Sequence, residues 1–373
     1  MRAAAAASTA ADAAAIATPS PAAAAAAPQP PLPRVRRIVK LGGAAVTVKS
    51  QVETLRPEVL RHTATALAAA AAAAEEGEGS REKRGAAAGE AGGTVLIHGA
   101  GSFGHHPASQ YGVARGPLSD SRVRQGFALT RASVTRLNGL VVAALVEAGA
   151  PAVGLSPFGI YTTRDREVTQ SGWPAVAACL SAGLLPVLHG DCVVDEGDAG
   201  CAVLSGDTLV RDLAGALRPD WVVFLTNVAG VYDRPPEEAG ARLLTRIAVR
   251  PDGSWRVAEV EGTPAPAGGD GGIRMTADAH DVTGGIALKV EEAAAVARLG
   301  IPVLIAQAGS AEGAEALARG AGVGRGWRGT RVEPEGPAAG GSREGCSDGG
   351  GWGCGDGGEG VEVREIGGQG GLR

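Results

Sequence analysis

Aromatic residues are scarce: Trp, Tyr and Phe supply 3% of the 373-residue chain, so a core must be assembled mainly from Val, Leu, Ile and Ala. Positive charge is not in excess either. Lys+Arg 35 against Asp+Glu 40 leaves a net charge of −5, without the basic surplus of a dedicated nucleic-acid binder. Five cysteines (Cys179, Cys192, Cys201, Cys346 and Cys354) form no C-x-x-C pair. Neither a zinc site nor a disulfide framework is expected, and the compartment reads as reducing. No apolar stretch reaches the roughly 20 uninterrupted residues of a membrane span, so no membrane partner is expected. G-x-x-x-x-G-K-[ST], H-R-D and D-F-G are all missing, which excludes a P-loop enzyme and a protein kinase.

What is abundant is Gly, 59 residues, with 22 Pro, and much of that excess sits in the tails and inserts. Residues 1–33 are an Ala-rich tract broken by prolines from Pro19 to Pro33. They read either as a low-complexity extension or as an organelle transit peptide, although Arg and Ser are sparse for one. Location therefore stays open between the cytosol and a plastid. A secretory signal is not expected, since no Leu-rich block follows a basic start. A folded domain is expected over 34–332, with low-complexity inserts at about 68–93 and 262–272. Residues 333–373 are too Gly-rich to bury a core.

Between these segments, short apolar runs rich in β-branched residues recur at Val35–Leu41, Thr94–His98, Ala152–Leu155, Leu185–His189, Trp221–Thr226 and Pro302–Ala306. Helical patterns separate them: Ala132–Ala148, with Leu137, Leu140, Val141, Ala144 and Leu145 on one face, and Leu288–Leu299. Near-continuous apolar strands alternating with amphipathic helices predict an α/β fold, a mainly parallel sheet covered on both faces. In such sheets ligands bind beyond the carboxyl ends of the strands, which directs attention to the residues after each run.

After the first run stands Lys40-Leu-Gly42-Gly43, with Lys49 close behind. Paired glycines bring amide groups close to an anion, although a plain turn with solvated lysines has the same look. After the second stands His98-Gly99-Ala100-Gly101-Ser102-Phe103-Gly104-His105-His106. Its G-x-G-x-x-G calls for an acid about 20 residues on, at the end of another strand. Asp120 has the spacing, but its surroundings are polar and turn-rich, so the nicotinamide reading fails. A phosphate held on amides at a helix N-terminus is the remaining use of such a loop. His189-Gly190-Asp191 follows the fourth run and a hairpin-like stretch leads to Ser205-Gly206-Asp207, where Asp207 is a helix cap or a brace for lysines. Asn227 to Tyr232 make a turn suited to a nucleoside, and Asp281-Val-Thr283-Gly284-Gly285-Ile-Ala-Leu-Lys289 gives a second glycine pair with a lysine. Glycine turns at separate strand ends, two of them carrying Lys, point to a ligand with several phosphates.

These motifs, K-L-G-G, S-G-D, T-N-V-A-G-V-Y and D-V-T-G-G-I-A-L-K in this order, resemble the amino acid kinase superfamily. H-G-A-G-S-F-G-H is similar to the loop of its isopentenyl phosphate kinases. The resemblance covers Val35 to about Val332 and implies a three-layer αβα sandwich that phosphorylates isopentenyl phosphate in isoprenoid biosynthesis, with ATP and Mg²⁺ as cofactors. It implies that Lys40 and Lys289 hold ATP phosphates, that Asp207 orients both lysines, and that Lys49 stabilises the transferring phosphoryl group. Gly42, Gly43, Gly101 and Gly285 would contact ATP phosphates, Asn227 and Tyr232 the nucleoside, and Ala100, His105 and Gly206 the acceptor phosphate. A homodimer is implied as well. The isoprenoid tail is expected to lie within Pro107–Leu137 and Gly154–Thr169. The chain departs from the family at Ala44 (usually Ser), at Asn227 and Ala229 (usually Asp) and at Ile286 (usually Met). A same-fold kinase for another small phosphate, phosphonate or amino acid is the alternative. A non-catalytic nucleotide-binding protein is a further one, disfavoured because Lys40, Lys49 and Lys289 are all present.

Overall fold

The computed structural model describes residues 32–82, 92–261, 263–264 and 284–335. The extension through residue 31, the charged stretch 83–91, most of the insert expected at 262–272, Asp281 to Thr283 and the chain beyond 335 lie outside the described residues. The strands, in chain order, are β1 Val35–Leu41, β2 Gly93–His98, β3 Ala152–Gly154, β4 Thr162–Arg164, β5 Glu167–Gln170, β6 Leu185–His189, β7 Asp191–Asp195 and β8 Cys201–Leu204. They continue with β9 Trp221–Thr226, β10 Val231–Tyr232, β11 Leu243–Val249, β12 Trp255–Val260, β13 Thr263–Pro264, β14 Val303–Gln307 and β15 Thr330–Pro334. The helices are α1 Gly43–Val46, α2 Pro57–Glu82, α3 Gly101–Tyr111, α4 Ser121–Glu147, α5 Trp173–Ser181, α6 Gly206–Leu217, α7 Gly284–Ala297 and α8 Ala311–Arg319.

All the apolar runs read as strands form one contiguous parallel block, in the order β14-β9-β1-β2-β6-β3. Strand β15 then pairs antiparallel with β14, and β11, β12 and β13 extend the sheet beyond it. A separate 4-stranded sheet, β5-β4-β7-β8, is built from strands that flank β6 in sequence. Alternation along the strands divides the core into two layers. Ile38, Ile97, Leu188, Val222, Phe224 and Ile305 meet α5, α6 and α7 on one face. Val39, Leu96, Val187, Val223, Leu225 and Leu304 meet α2, α4 and α8 on the other. The described chain is thus a helix–sheet–helix sandwich.

The structure adjusts several expectations. Helix α4 starts at Ser121, with Asp120 as its N-cap accepting from the Arg122 amide at 2.8 Å. Asp120 is therefore a cap and not a ribose ligand at a strand end. Within α4, Leu137, Val141 and Leu145 are buried, but Leu140 is 38% exposed, because it flanks that stripe instead of joining it. By length and mean hydropathy alone α4 is long and apolar enough to cross a membrane. However, it carries Arg131 and Arg136 and packs its buried stripe on the sheet. Helix α2 continues to Glu82, well into the expected insert, and β15 continues to Pro334, past the expected domain edge.

Candidate active site

The ladder between parallel strands runs straight into the glycine turns. Gly42 donates to Leu225 O at 2.8 Å, Gly99 to Leu41 O at 2.9 Å and Gly190 to His98 O at 2.9 Å. Here the absence of side chains is a requirement. A Cβ on Gly99 would stand 2.7 Å from the Gly43 amide nitrogen, and one on Gly43 would run into the Gly101 backbone. Gly101 has φ +52° and any Cβ there would strike Thr47, so this position favours glycine twice over. Thr47 Oγ1 locks the two turns together. It donates to Gly43 O at 2.8 Å and accepts from the Ser102 amide at 3.1 Å.

Two helix N-termini open onto the same space. Helix α3 begins at Gly101, and α6 begins at Gly206 behind the Ser205 cap, which accepts from the Thr208 amide at 3.1 Å. A Cβ on Gly190 would sit 3.5 Å from the Ala100 nitrogen and 3.6 Å from the Gly206 nitrogen, so the starts of both helices converge on one point. The partial positive charge of each terminus adds there.

Charged side chains complete the arrangement. Lys40, next to last in β1, points toward the α6 and α7 layer. It forms an ion pair with Asp207 in the first turn of α6 and lies 3.3 Å from Glu292 on α7. Its ammonium also sits 5.2 Å from the Phe224 ring centre. Lys289 is one turn before Glu292 on α7. Burial, then the Lys40 and Lys49 charges, hold its ammonium below the ordinary lysine range, with Glu292 opposing. His105, on the first turns of α3, is also held down, by partial burial and by the positive charge of Lys49. Next to it, His106 Nε2 lies 3.1 Å from Lys49 O and ties the lysine loop to α3.

These groups line a cavity of about 250 Å³. Part of the lining is cationic and amide-rich: Lys40, Lys49, His105, Gly43, Ala100 and Gly206. Part is apolar: Ala108, Val134, Val203, Leu204 and Cys192. Burial and Asp191 push the Cys192 thiol up to about 12, so it serves as an inert apolar wall. The lining thus combines groups that suit an anion with apolar side chains.

The pattern of the amino acid kinase family matches residues 35–307, from β1 through β14. The isopentenyl phosphate kinase of Arabidopsis thaliana is 41% identical over 304 residues, 76% of this chain and 90% of that protein. The chain belongs to the amino acid kinase family, among its isopentenyl phosphate kinases. The isopentenyl phosphate kinase of Methanothermobacter thermautotrophicus is 32% identical over 56% of this chain and 73% of that protein. Solved X-ray structures of isopentenyl phosphate kinase include one with TM-score 0.58 and 26% identity, covering 80% of this chain and 99% of that one.

Within this family frame, most of the residues singled out from sequence come together. Lys40, Gly42, Gly43, Lys49, Ala100, Gly101, His105, Gly206 and Asp207 all line the one cavity. Lys289 is electrostatically coupled to it, and Gly285 is the second residue of its helix. Asn227 is exposed beyond β9, and Tyr232 sits on β10 paired with Leu243; neither lines the cavity. The turn between them is anchored from below by Thr330, whose hydroxyl accepts from the Val231 amide at 2.8 Å and donates to Leu244 O at 2.7 Å. Asp207 pairs with Lys40, whereas the carboxylate that acts on Lys289 is Glu292. Of the segments expected to line the tail pocket, Pro107–Leu137 contributes Ala108, Thr130 and Val134, and Gly154–Thr169 contributes nothing. The wall comes from Cys192, Val203 and Leu204, on the β7–β8 pair. Sequence reading missed Glu292, although its three-residue spacing from Lys289 places both on one helix face.

Proposed function

We infer that the chain phosphorylates isopentenyl phosphate to isopentenyl diphosphate. The observation that carries this reading is one cavity lined by Lys40, Lys49, His105 and two helix N-termini together with apolar side chains. The acceptor phosphate is already largely dianionic near neutral pH, since its second pKa is about 6. It needs no general base. The task is to bring two anions into line, which calls for positioning and positive charge. Lys49 and the α3 amides neutralise the transferring group, while His105 binds the acceptor phosphate, gaining a proton or donating its N–H as the anion arrives. Lys40, held by Asp207 and Glu292, and Lys289 face the donor's phosphates.

ATP is the donor in this reading, with its nucleoside over the Asn227–Tyr232 turn. Mg²⁺ would be carried mainly by the nucleotide phosphates and add charge neutralisation. The protein works as a homodimer in the cytosol, and the alternative address, the plastid, rests on residues 1–33. The test is ADP release by the full chain with ATP and Mg²⁺, comparing isopentenyl phosphate, acetylglutamate, aspartate and UMP. Turnover of isopentenyl phosphate alone is expected. Turnover of an amino acid instead would keep the lysines and discard the acceptor.

A further inference from the structure

One partner of Lys40 does more than a single ion pair requires. Glu292 is a second carboxyl beside Lys40, with 15% of its side chain exposed, on the face of α7 that also carries Lys289. It shares the Lys40 ammonium with Asp207: Lys40 is ion-paired with Asp207 and lies 3.3 Å from Glu292. Two carboxylates gathered on one ammonium repel each other, and added negative charge beside them favours a proton on one. Lys40 makes its closer contact with Asp207, so Glu292 is the one less firmly held as an anion.

We propose that Glu292 is the proton reservoir of the phosphate site: it takes up a proton when a nucleotide binds, converting a carboxylate beside the phosphates into a neutral hydrogen-bond donor to Asp207. The proposal rests on the nucleotide reading given above. The balance is simple: the carboxylate gains one proton from the buffer, no other bond changes, and the local charge rises by one as the anion arrives. Burial and the neighbouring Asp207 support it by pushing the Glu292 carboxyl up to about 7, against the pull of Lys40. The groups that face it are Lys40 from β1, Asp207 from α6, and Lys289 on its own helix with Lys49 beyond. Of the strands packed against α7, β14 has no ionisable residue and β10 has Tyr232. On β15, Arg331 binds the Val323 and Gly324 carbonyls and Glu333 pairs with Arg246. An approaching polyphosphate raises the affinity of Glu292 for its proton further, because the ionised form would face like charge.

The experiment is calorimetric titration of the full chain with ADP at saturating Mg²⁺, in buffers of different ionisation enthalpy, for wild type and Glu292→Gln. The wild type is expected to take up roughly half a proton per nucleotide near pH 7.5, falling toward none at pH 6, where Glu292 is already protonated. Glu292→Gln, which keeps a neutral donor to Asp207, is expected to bind with that uptake lost. Equal uptake in both proteins, or no uptake in the wild type, would overturn the proposal. So would a wild-type uptake that is largest at pH 6, which assigns the proton to His105 and needs no variant. Absence of any ADP binding by the wild type would instead overturn the nucleotide reading, and the proposal with it.

Discussion

Two polar clusters stand side by side at the carboxyl ends of β1, β2 and β6, and their electrostatics are opposite. In the first, His98 and His189 stack with ring centres 5.6 Å apart. His98 Nδ1 donates to Gly99 O at 3.1 Å while its Nε2 accepts from Asn138 at 3.2 Å. Asn138 also donates to Val187 O at 3.1 Å. Asp191 receives Arg131 at 3.2 Å, the Ser156 hydroxyl at 2.9 Å and the Cys192 amide at 2.8 Å. Every one of these groups has a partner, and the network holds the Gly99 and Gly190 turns in place. In the second cluster, Lys40, Lys49 and Lys289 gather around Asp207 and Glu292, with Lys40 ion-paired to both. Burial, then like charges, push Lys289 and His105 away from their charged forms. A satisfied network fixes geometry, whereas a frustrated one retains affinity for an absent anion. In the reading proposed above, the first cluster is architecture and the second is the phosphoryl-transfer site.

Substitutions that separate the two clusters sharpen this contrast, and the largest effect is expected in the frustrated one. Lys49→Ala should lower kcat on the order of 10³-fold, with KM for either substrate changed far less, because its charge acts on the transferring group. Steady-state kinetics checks this, and an equal loss confined to KM would place Lys49 in ground-state binding. Next, His105→Ala should raise KM for isopentenyl phosphate about 10- to 100-fold, the equivalent of one charge-assisted hydrogen bond. An unchanged kcat/KM would remove His105 from the acceptor site.

The satisfied cluster should respond in stability. Asn138→Ala strands His98 Nε2 and Val187 O in a buried site and should cost about 2 kcal/mol, with kcat at 25 °C nearly intact. Denaturant unfolding beside a turnover assay reads both. The smallest effect is that of pH. Burial, then the neighbouring His189, pushes the His98 imidazole down to about 3. In the unfolded chain it protonates near 6.5, so acid favours the unfolded state. The stability that His98 contributes is complete above pH 6.5 and should fall by about 1.4 kcal/mol for each pH unit below it. Unfolding curves at pH 5 and 7 that coincide would show that the pair is already charged in the fold.

Much of this arrangement was legible in the sequence, for definite reasons. The apolar runs now seen as β1, β2, β3, β6, β9 and β14 are buried on both faces, and only a parallel sheet makes a strand so uniformly apolar. The lysines and glycines of the site were visible because strand ends are where α/β folds bind ligands. Of the antiparallel part, only the hairpin-like stretch now seen as β7–β8 was visible. Trp255–Val260 alternates with Arg256 and Glu259, and β4 and β5 are 3 and 4 residues long, so their pairing is decided by neighbours instead of composition. Glu292 was hidden for a related reason: Lys-Val-Glu-Glu on a helix has the look of a solvated face until α6 and β1 close over it. Arg37 is similar. A charged residue in a strand reads as exposed, yet it is fully buried, donating to Leu317 O and, at 2.8 Å, to Ala70 O, where it joins α8 to α2.

The central claim, that the lysine cluster is held for a ligand at the fold's expense, has one direct test: Lys289→Met, with turnover and thermal midpoint measured on the same preparation. Methionine keeps the length of the side chain and removes the repelled charge. Turnover of isopentenyl phosphate should fall by about two orders of magnitude or more, while the midpoint stays level or rises, since the fold disfavours that ammonium. A midpoint that drops as it would for a core residue, with turnover largely preserved, would contradict the account and make Lys289 part of the architecture.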